Sequence, residues 1–163
     1  MTNNKLPMTG RRIQWLSDLV RLEIALWERI DQRLLAKHGL PLSSFETLYI
    51  IWNAPEQRLR VGEISQSLGV TVGGTSKIID RLDRAGLIAR EPDPDDRRAA
   101  QIVLTPIGQR TVAQASKTYD AEMAILLDAV FSSDEQRQFH DMVTRCLKSI
   151  KTELPEGTEL NAP

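Results

Sequence analysis

Side chains that could contact a nucleic acid are densest between residues 71 and 81. Threonine and serine hydroxyls can bond to base edges or phosphates, and a valine can touch a thymine methyl group. A lysine and an arginine one helical turn apart could neutralise phosphates on one face. The group therefore predicts a helical surface that reads DNA, and its members are Thr71, Val72, Gly73, Gly74, Thr75, Ser76, Lys77 and Arg81.

Two consecutive glycines, Gly73 and Gly74, stand near the start of this predicted helix. Each glycine inside a helix costs about 1 kcal/mol relative to alanine. The pair could let the backbone approach DNA closely, which would leave fewer side chains for reading bases and more dependence on DNA shape. Alternatively, the pair loosens the first helical turn, or the helix cap moves to Thr75.

A second group of charged residues follows at positions 92–98, where proline and aspartate predict a turn. Arg97 and Arg98 could enter a minor groove, because a narrow groove attracts arginine electrostatically. Asp96 is expected to pair with an arginine and fix the turn, a structural role. The alternative is a solvated charged turn that binds nothing.

The overall charge does not by itself predict a nucleic-acid partner. The chain has 163 residues, with 21 Lys plus Arg, 22 Asp plus Glu and a formal net charge of −1. Residues 58–98 carry eight basic and seven acidic side chains, a net charge of +1. A generically basic coat protein is excluded. DNA binding must come from the arrangement of charges, and its affinity should still fall as salt rises.

Little in the sequence predicts catalysis, a cofactor or a metal. We find no phosphate-binding glycine loop with its lysine, no dinucleotide-binding motif and no nucleophile motif. A single cysteine, Cys146, cannot form an internal disulfide or a cysteine zinc cluster, and we expect it to pack on the apolar face of the last helix. No apolar run reaches the roughly 20 residues of a membrane span, and the N-terminus lacks a secretion signal. We therefore expect a cytoplasmic, non-enzymatic protein, associated with the nucleoid when it is bound to DNA.

The candidate residues lie in a helix-turn-helix followed by a β-hairpin with a charged tip, which is termed a wing. Apolar periodicity and capping signals predict the remaining elements. A capping box at Ser43 and Glu46 starts the second helix, and Ser133 with Gln136 starts the last. The fold class is mainly α with a small β-hairpin wing. The predicted helices cover residues 11–37, 43–53, 61–68, 72–85, 105–130 and 133 to just before 155, and the strands cover 87–91 and 101–104.

The predicted elements divide into a winged helix-turn-helix unit, residues 42–104, and an α-helical dimerisation region, residues 11–41 and 105–152. The outer helices carry apolar stripes that are wider than one partner helix needs. Burying those stripes against a second copy predicts a two-fold homodimer. Residues 1–10 are expected to form a flexible arm and residues 153–163 a flexible tail.

From Arg60 to Gly108, without a gap, the sequence resembles the MarR family of bacterial winged-helix transcription regulators. The resemblance implies an obligate homodimer that binds a near-palindromic double-stranded operator, often as a repressor released by a small aromatic or phenolic ligand. It also places Arg98 where the family tends to insert an arginine into the minor groove. The matching residues are Asp80-Arg81-Leu82, Gly86-Leu87-Ile88, Arg90, Asp96-Arg97-Arg98, Leu104-Thr105 and Gly108.

The same resemblance places a ligand where the first, second and fifth helices meet the winged-helix unit. Four apolar or aromatic residues could form its walls, and three basic residues could meet a carboxylate or phenolate. Each of them could instead belong to the dimer core or the surface. The candidates are Trp15, Leu19, Tyr49, Trp52, Arg12, Arg21 and His38.

Two other classes of function compete with a DNA-binding regulator. One is an enzyme, which the missing motifs disfavour. The other is a winged helix used only for protein contacts. That class would be favoured if Thr75, Lys77, Arg81 and Arg98 could all be neutralised without loss of function. A metal-sensing winged helix is disfavoured by the single cysteine.

Overall fold

The computed structural model describes residues 8–93, 96 and 99–153. It has the predicted mainly helical winged helix-turn-helix architecture, with a small antiparallel sheet. The described elements are α1 Met8–His38, α2 Leu42–Asn53, a 3-10 turn Pro55–Gln57, β1 Arg58–Arg60, α3 Val61–Leu68, α4 Val72–Arg84, β2 Ile88–Pro92, β3 Ala100–Leu104, α5 Pro106–Asp128 and α6 Ser133–Glu153. In this part of the chain, no helix is both long and apolar enough to cross a membrane.

The ends of the chain differ from the predicted boundaries. Helix α1 begins at Met8, three residues before the predicted start and inside the segment expected to be a flexible arm. Helix α6 runs to Glu153, the first residue of the expected tail, and α5 ends at Asp128 instead of residue 130. The rest of the arm, residues 1–7, and of the tail, residues 154–163, lies outside the described residues.

Two predicted helix caps lie too late in the chain, by two residues at α2, whose N-cap is Pro41, and by one residue at α6. Helix α2 begins at Leu42, and its first backbone N–H donates 2.7 Å to the carboxylate of Asp31 on α1, so Ser43 is not the cap. At α6 the reciprocal cap uses Ser132 and Glu135: the Ser132 N–H donates 2.8 Å to Glu135, and the Glu135 N–H donates 3.4 Å back to the Ser132 hydroxyl. The Ser132 hydroxyl also donates 2.7 Å to the Glu135 carboxylate, and the hydrogen bonds from the Ser132 N–H and hydroxyl lower the pKa of Glu135.

One hydrophobic core joins the winged-helix unit to the outer helices. Helix α2 lies at its centre, with Leu48 and Ile51 fully buried. The helix-turn-helix adds buried side chains from α3 and α4, and the sheet adds Ile102. Ile30 and Leu34 of α1 extend the same core beyond the winged-helix unit. A shift of α2 would therefore displace side chains of both the helix-turn-helix and the outer helices, because the core they share is closely packed.

The sheet has β3 in the middle, with β2 on one side and β1 on the other. The hairpin register pairs Ile88 with Leu104 and Pro92 with Ala100. Strand β1 was not predicted, because three residues with a single apolar side chain carry no period-2 signal. Its pairing of Leu59 with Ile102 anchors the base of the wing to the start of α3.

The outer helices leave large apolar side chains uncovered in a single chain. Ile13 and Trp15 on α1 are 65% and 60% exposed, and Leu147 on α6 is 56% exposed. Cys146 of α6, predicted to pack on the apolar face of that helix, is also exposed within a single chain. Exposed apolar surface of this extent marks an interaction site.

A buried carboxylate ties α1 to α5. Glu122 is 3% exposed, and its two oxygens lie 2.6 Å from Arg29 Nε and 3.2 Å from Arg33 Nε. Both arginines are about half exposed, at 57% and 47%. Without the arginines, the buried carboxylate would be an unpaired charge. Without the carboxylate, the two half-exposed arginines would still be hydrated, so the pairing matters more for Glu122.

We expect Glu122→Gln to lower the free energy of unfolding by about 1.5–3 kcal/mol, the range for hydrogen bonds to charged groups. Arg33→Gln should cost less, since Arg29 still compensates the carboxylate. Urea unfolding of both variants at one fixed protein concentration gives the comparison. A Glu122→Gln protein as stable as the unsubstituted chain would contradict a structural role for this ion pair.

Candidate nucleic-acid interface

Helix α4 begins with a well-formed cap at Thr71. The Thr71 hydroxyl accepts a hydrogen bond from the Gly74 N–H at 3.2 Å, and its carbonyl accepts one from the Thr75 N–H at 2.9 Å. Gly73 and Gly74 both lie inside the helix, so the proposed shift of the cap to Thr75 is wrong. These hydrogen bonds close the first turn of α4.

The side chains of α4 divide into an outward and an inward set. Val72 is 57% exposed, and Thr71, Gly73, Lys77 and Arg81 are exposed as well.

Thr75 belongs to the inward set: it is fully buried, and its hydroxyl donates 3.1 Å to the Thr71 carbonyl. The inclusion of Thr75 among the DNA-contacting residues is therefore corrected, because its side chain faces the core. Ser76 is partly buried and donates 2.9 Å to the Val72 carbonyl, although its oxygen can still accept a bond.

Both acidic residues of α4, Asp80 and Asp83, lie close to an arginine. Arg90 of β2 pairs with Asp80 and lies 3.4 Å from Asp83. Lys77 makes no hydrogen bond or ion pair with any described residue, and Arg81 has one long contact of 3.5 Å to the Ser43 hydroxyl. The outward face of α4 is consequently more positive than the charge count of this segment suggests.

The base of the wing is fixed by Asp93, which sequence reasoning did not single out. Asp93 is 2% exposed and accepts hydrogen bonds from Arg60 Nε at 2.6 Å, Gln101 Nε2 at 3.1 Å and the Asp96 N–H at 3.1 Å. The hydrogen bond and charge of Asp93 raise the pKa of Arg60 above its ordinary value. The turn is closed by the Ala99 N–H donating 2.9 Å to the Asp96 carbonyl.

Asp96 was expected to fix the tip by pairing with an arginine. That pairing stays a prediction. The structure shows that the Asp96 backbone closes the turn and that its N–H donates to Asp93, whose carboxylate also binds Arg60, 33 residues before Asp93. Arg97 and Arg98, the arginines assigned to the minor groove, lie outside the described residues. Their role stays a prediction.

A family model with the description MarR family matches residues 38–99, the segment from the end of α1 to the wing. Over this segment the chain is similar to the MarR family. Two Bacillus proteins named as uncharacterized HTH-type transcriptional regulators are similar to it. One, from Bacillus cereus, is 28% identical over 129 residues, covering 78% of this chain and 84% of the relative. The other, YcgE of Bacillus subtilis, is 39% identical over 98 residues, covering 56% and 61%.

Solved structures of MarR regulators share the fold. Sco3205, a MarR family transcriptional regulator from Streptomyces coelicolor in complex with DNA, superposes with a TM-score of 0.81 at 18% identity, covering 98% of both chains. A mutant MarR from E. coli complexed with operator DNA superposes with a TM-score of 0.76 at 19% identity, covering 87% of this chain and 99% of that chain. At these identities the likeness establishes the architecture.

The seven residues predicted to hold a ligand do not converge. Trp15, Arg12 and Arg21 lie on exposed parts of α1, and Arg21 lies 3.6 Å from Asp18. His38 is engaged by the Thr118 hydroxyl at 2.8 Å, which links α1 to α5.

The other three lie elsewhere. Trp52 packs against the core, Leu19 lines a cavity between the outer helices and α2, and Tyr49 lines another cavity between α2 and α5. Neither cavity is lined by any of the three predicted basic residues. The expected anion-binding arrangement is not formed in this structure.

Two cavities meet at a carboxylate that sequence reasoning had treated as a helix cap. The cavity between α2 and α5 measures about 440 Å³, and the one formed with α1 and α6 measures about 300 Å³. Glu46 and Tyr119 line both. Burial raises the pKa of Glu46, and burial together with the nearby Glu46 charge raises the pKa of Tyr119. No group of three or more metal-ligand side chains forms within the described segments.

Proposed function

We propose that this protein is a homodimeric transcriptional regulator of the MarR family that binds a near-palindromic double-stranded operator. Each subunit places α4 in a major groove and its wing in the neighbouring minor groove. The observation that carries this proposal is the outward face of α4, where Lys77 and Arg81 are available while Asp80 and Asp83 are occupied by Arg90. Sco3205 and E. coli MarR, which share the fold, were crystallised with DNA.

The outward residues of α4 take separate roles in the proposed complex. Lys77 and Arg81 neutralise phosphates, Thr71 and Ser76 offer hydroxyl oxygens, and Val72 contacts a thymine methyl group. Gly73 and Gly74 allow close approach of the helix backbone. Arg97 and Arg98 occupy the minor groove, a narrow one attracting them most strongly.

Dimerisation is proposed to use α1, α5 and α6, within residues 11–41 and 105–152. The support is the uncovered apolar surface on these helices, such as Ile13, Ile125 and Leu147. A two-fold arrangement covers the same patch on both copies. It also fixes the spacing of the two α4 helices, on which binding to two half-sites depends.

The regulator is further proposed to act as a repressor that a small ligand releases. Support comes from the two cavities that meet at α2, the helix packed between the outer helices and the helix-turn-helix. A ligand there can bias a rigid-body shift of the DNA-binding units relative to each other.

Selection of bound DNA from a random library, at two salt concentrations, tests the function directly. We expect an enriched near-palindrome with half-sites about 10 base pairs apart, one helical turn. Higher salt should weaken binding through loss of the phosphate contribution. A folded dimer that enriches no sequence would contradict the proposal and favour a role in protein contacts.

We expect Arg98→Ala to weaken binding to the selected operator by about tenfold or more, while the dimer remains intact, because the minor-groove contact is lost. Fluorescence anisotropy with the operator measures the affinity, and sedimentation confirms the dimer. Arg137→Ala is the matched control, since Arg137 is exposed on α6 beside Asp134, and such surface pairs contribute little. Unchanged affinity at moderate salt would remove the assigned role of the wing.

A further inference from the structure

We propose that the effector of this regulator is a hydrophobic organic cation, bound where the Glu46 carboxylate meets the rings of Phe45, Tyr49 and Tyr119. The inference rests on the proposed ligand-released regulator, whose ligand class it names. It replaces the anionic aromatic ligand expected from the sequence, because the basic residues that would bind an anion lie elsewhere.

The cavity between α2 and α5 has the size and the lining of a small-molecule site. Its volume of about 440 Å³ falls within the range of about 300–1,000 Å³ typical of such sites. The rings of Tyr49 and Phe45 stack at 5.8 Å, and those of Phe45 and Tyr119 at 5.3 Å. Aromatic ring faces attract cations, most strongly when the cation is desolvated.

Glu46 supplies a charge without a partner. Its side chain is partly buried and makes no hydrogen bond or ion pair with any described residue. Withdrawing a carboxylate from water is unfavourable unless it is paired, so a cation at this position recovers part of that cost. Burial raises the pKa of Glu46, which is the sign of a carboxylate that lacks a compensating charge.

Other polar groups around the two cavities favour the same ligand charge. Asp120 and Ser116 line the larger cavity, and Glu23 lines the smaller one. The Ser116 hydroxyl oxygen is buried without a hydrogen-bond partner, so it is available to a ligand. The described residues that line the two cavities include three carboxylates and no lysine, arginine or histidine. An anion would meet repulsion here, whereas a cation meets attraction.

The smaller cavity supplies the apolar part of the site. It shares Glu46 and Tyr119 with the larger cavity, and apart from these and Glu23 its lining is apolar, including Leu19, Trp27 and Met123. A ligand with a positive centre and an apolar body fits this combination, because burial of the body supplies affinity and the carboxylate selects the charge.

Occupancy of this site can be transmitted to DNA through α2. One side of that helix lines the larger cavity with Phe45, Glu46 and Tyr49. The same helix places the fully buried Leu48 and Ile51 in the core of the winged-helix unit. The Ser43 hydroxyl of α2 also accepts the 3.5 Å contact from Arg81 of α4. A ligand that repositions α2 therefore moves groups connected to the DNA-reading helix.

Isothermal titration calorimetry of the full chain without DNA tests the ligand class, using tetraphenylphosphonium and tetraphenylborate in a sodium buffer. These two ions have the same shape and opposite charges. We expect the phosphonium to bind at least tenfold more tightly than the borate. Glu46→Gln should weaken phosphonium binding by tenfold or more, and Glu46→Asp should retain most of it. Glu28→Gln, an exposed carboxylate on α1 outside both cavities, should leave it unchanged.

Equal affinity for the two ions, absence of phosphonium binding, or full binding by a folded Glu46→Gln protein would each overturn the cation site. The effector role is tested separately, by measuring DNA affinity. With the selected operator, phosphonium should lower DNA affinity for the unsubstituted chain and not for Glu46→Gln. Phosphonium binding that depends on Glu46 but leaves DNA affinity unchanged would support the site and overturn its effector role. Failure to select any operator would overturn the proposed function and leave the calorimetric result standing.

Discussion

Gly108→Ala is expected to be among the most destabilising single substitutions in the chain, costing about 3 kcal/mol or more as a severe case of overpacking. A Cβ at this position would lie 1.9 Å from the carbonyl oxygen of Leu87 and 2.9 Å from its carbon. These are backbone atoms, so no side-chain rotation relieves the clash.

The surrounding hydrogen bonds hold both sides of this contact in place. The Leu87 carbonyl accepts a bond from the Thr105 N–H at 3.1 Å, and the Leu87 N–H donates to Leu82 at 3.0 Å. The Gly108 N–H donates 3.0 Å to the capping hydroxyl of Thr105. Moving α5 away would break the cap of α5 and its junction with the wing together.

Urea unfolding followed by tryptophan fluorescence measures the effect at a fixed protein concentration. Gly62→Ala is the matched control, because an added Cβ there meets nothing within 4 Å in helix α3. That control should gain up to about 1 kcal/mol of stability from helix propensity. A Gly108→Ala protein within about 1 kcal/mol of the unsubstituted chain would show that α5 can leave Leu87 without cost.

The features predicted correctly from sequence are those that depend on neighbouring residues. Thr71 and Thr105 cap the helices that follow them, and Gly69 and Gly86 end helices with positive φ values of 68° and 69°. Each of these signals is contained within one turn of chain. The helix-turn-helix and the β-hairpin followed from them and from apolar periodicity.

The features missed depend on contacts between distant residues. Asp31 caps α2 from 11 residues away, and Arg60 binds Asp93 from 33 residues away. Neither pairing has a local pattern, because both depend on how α1 and β1 pack. The candidate DNA surface was predicted as a set of consecutive residues, and only the structure separates the buried Thr75 from the exposed Val72 and Lys77.

The residues predicted to hold a ligand depend on such distant contacts as well. A basic residue near an aromatic residue in sequence says nothing about which of them reaches a cavity. Arg21 points to Asp18 and His38 to Thr118, whereas the carboxylate of Glu46, assigned to a helix cap, lies where two cavities meet. The sign of the charge in the cavity could be established only after the helices were packed.

Gly73→Ala is expected to change stability and DNA affinity in opposite directions. An added Cβ at Gly73 meets nothing within 4 Å, so the substitution should raise the free energy of unfolding by up to about 1 kcal/mol. If the α4 backbone approaches DNA closely at this exposed position, the same methyl group blocks it. We therefore expect operator affinity to fall by about tenfold or more, since a helix displaced from the groove loses base and phosphate contacts.

The opposite signs make this experiment decisive about the two glycines. A loosened helix would be repaired by alanine, and both stability and operator affinity would then rise. Close approach predicts the more stable protein to be the weaker binder. Gly62→Ala again supplies the control, because it should gain similar stability in α3 without a loss of operator affinity. Gly74→Ala is less informative, since its Cβ would lie 3.3 Å from the Thr71 hydroxyl and disturb the cap itself. Urea unfolding and operator anisotropy on the same preparations separate the two readings, because a rise in both quantities contradicts close approach.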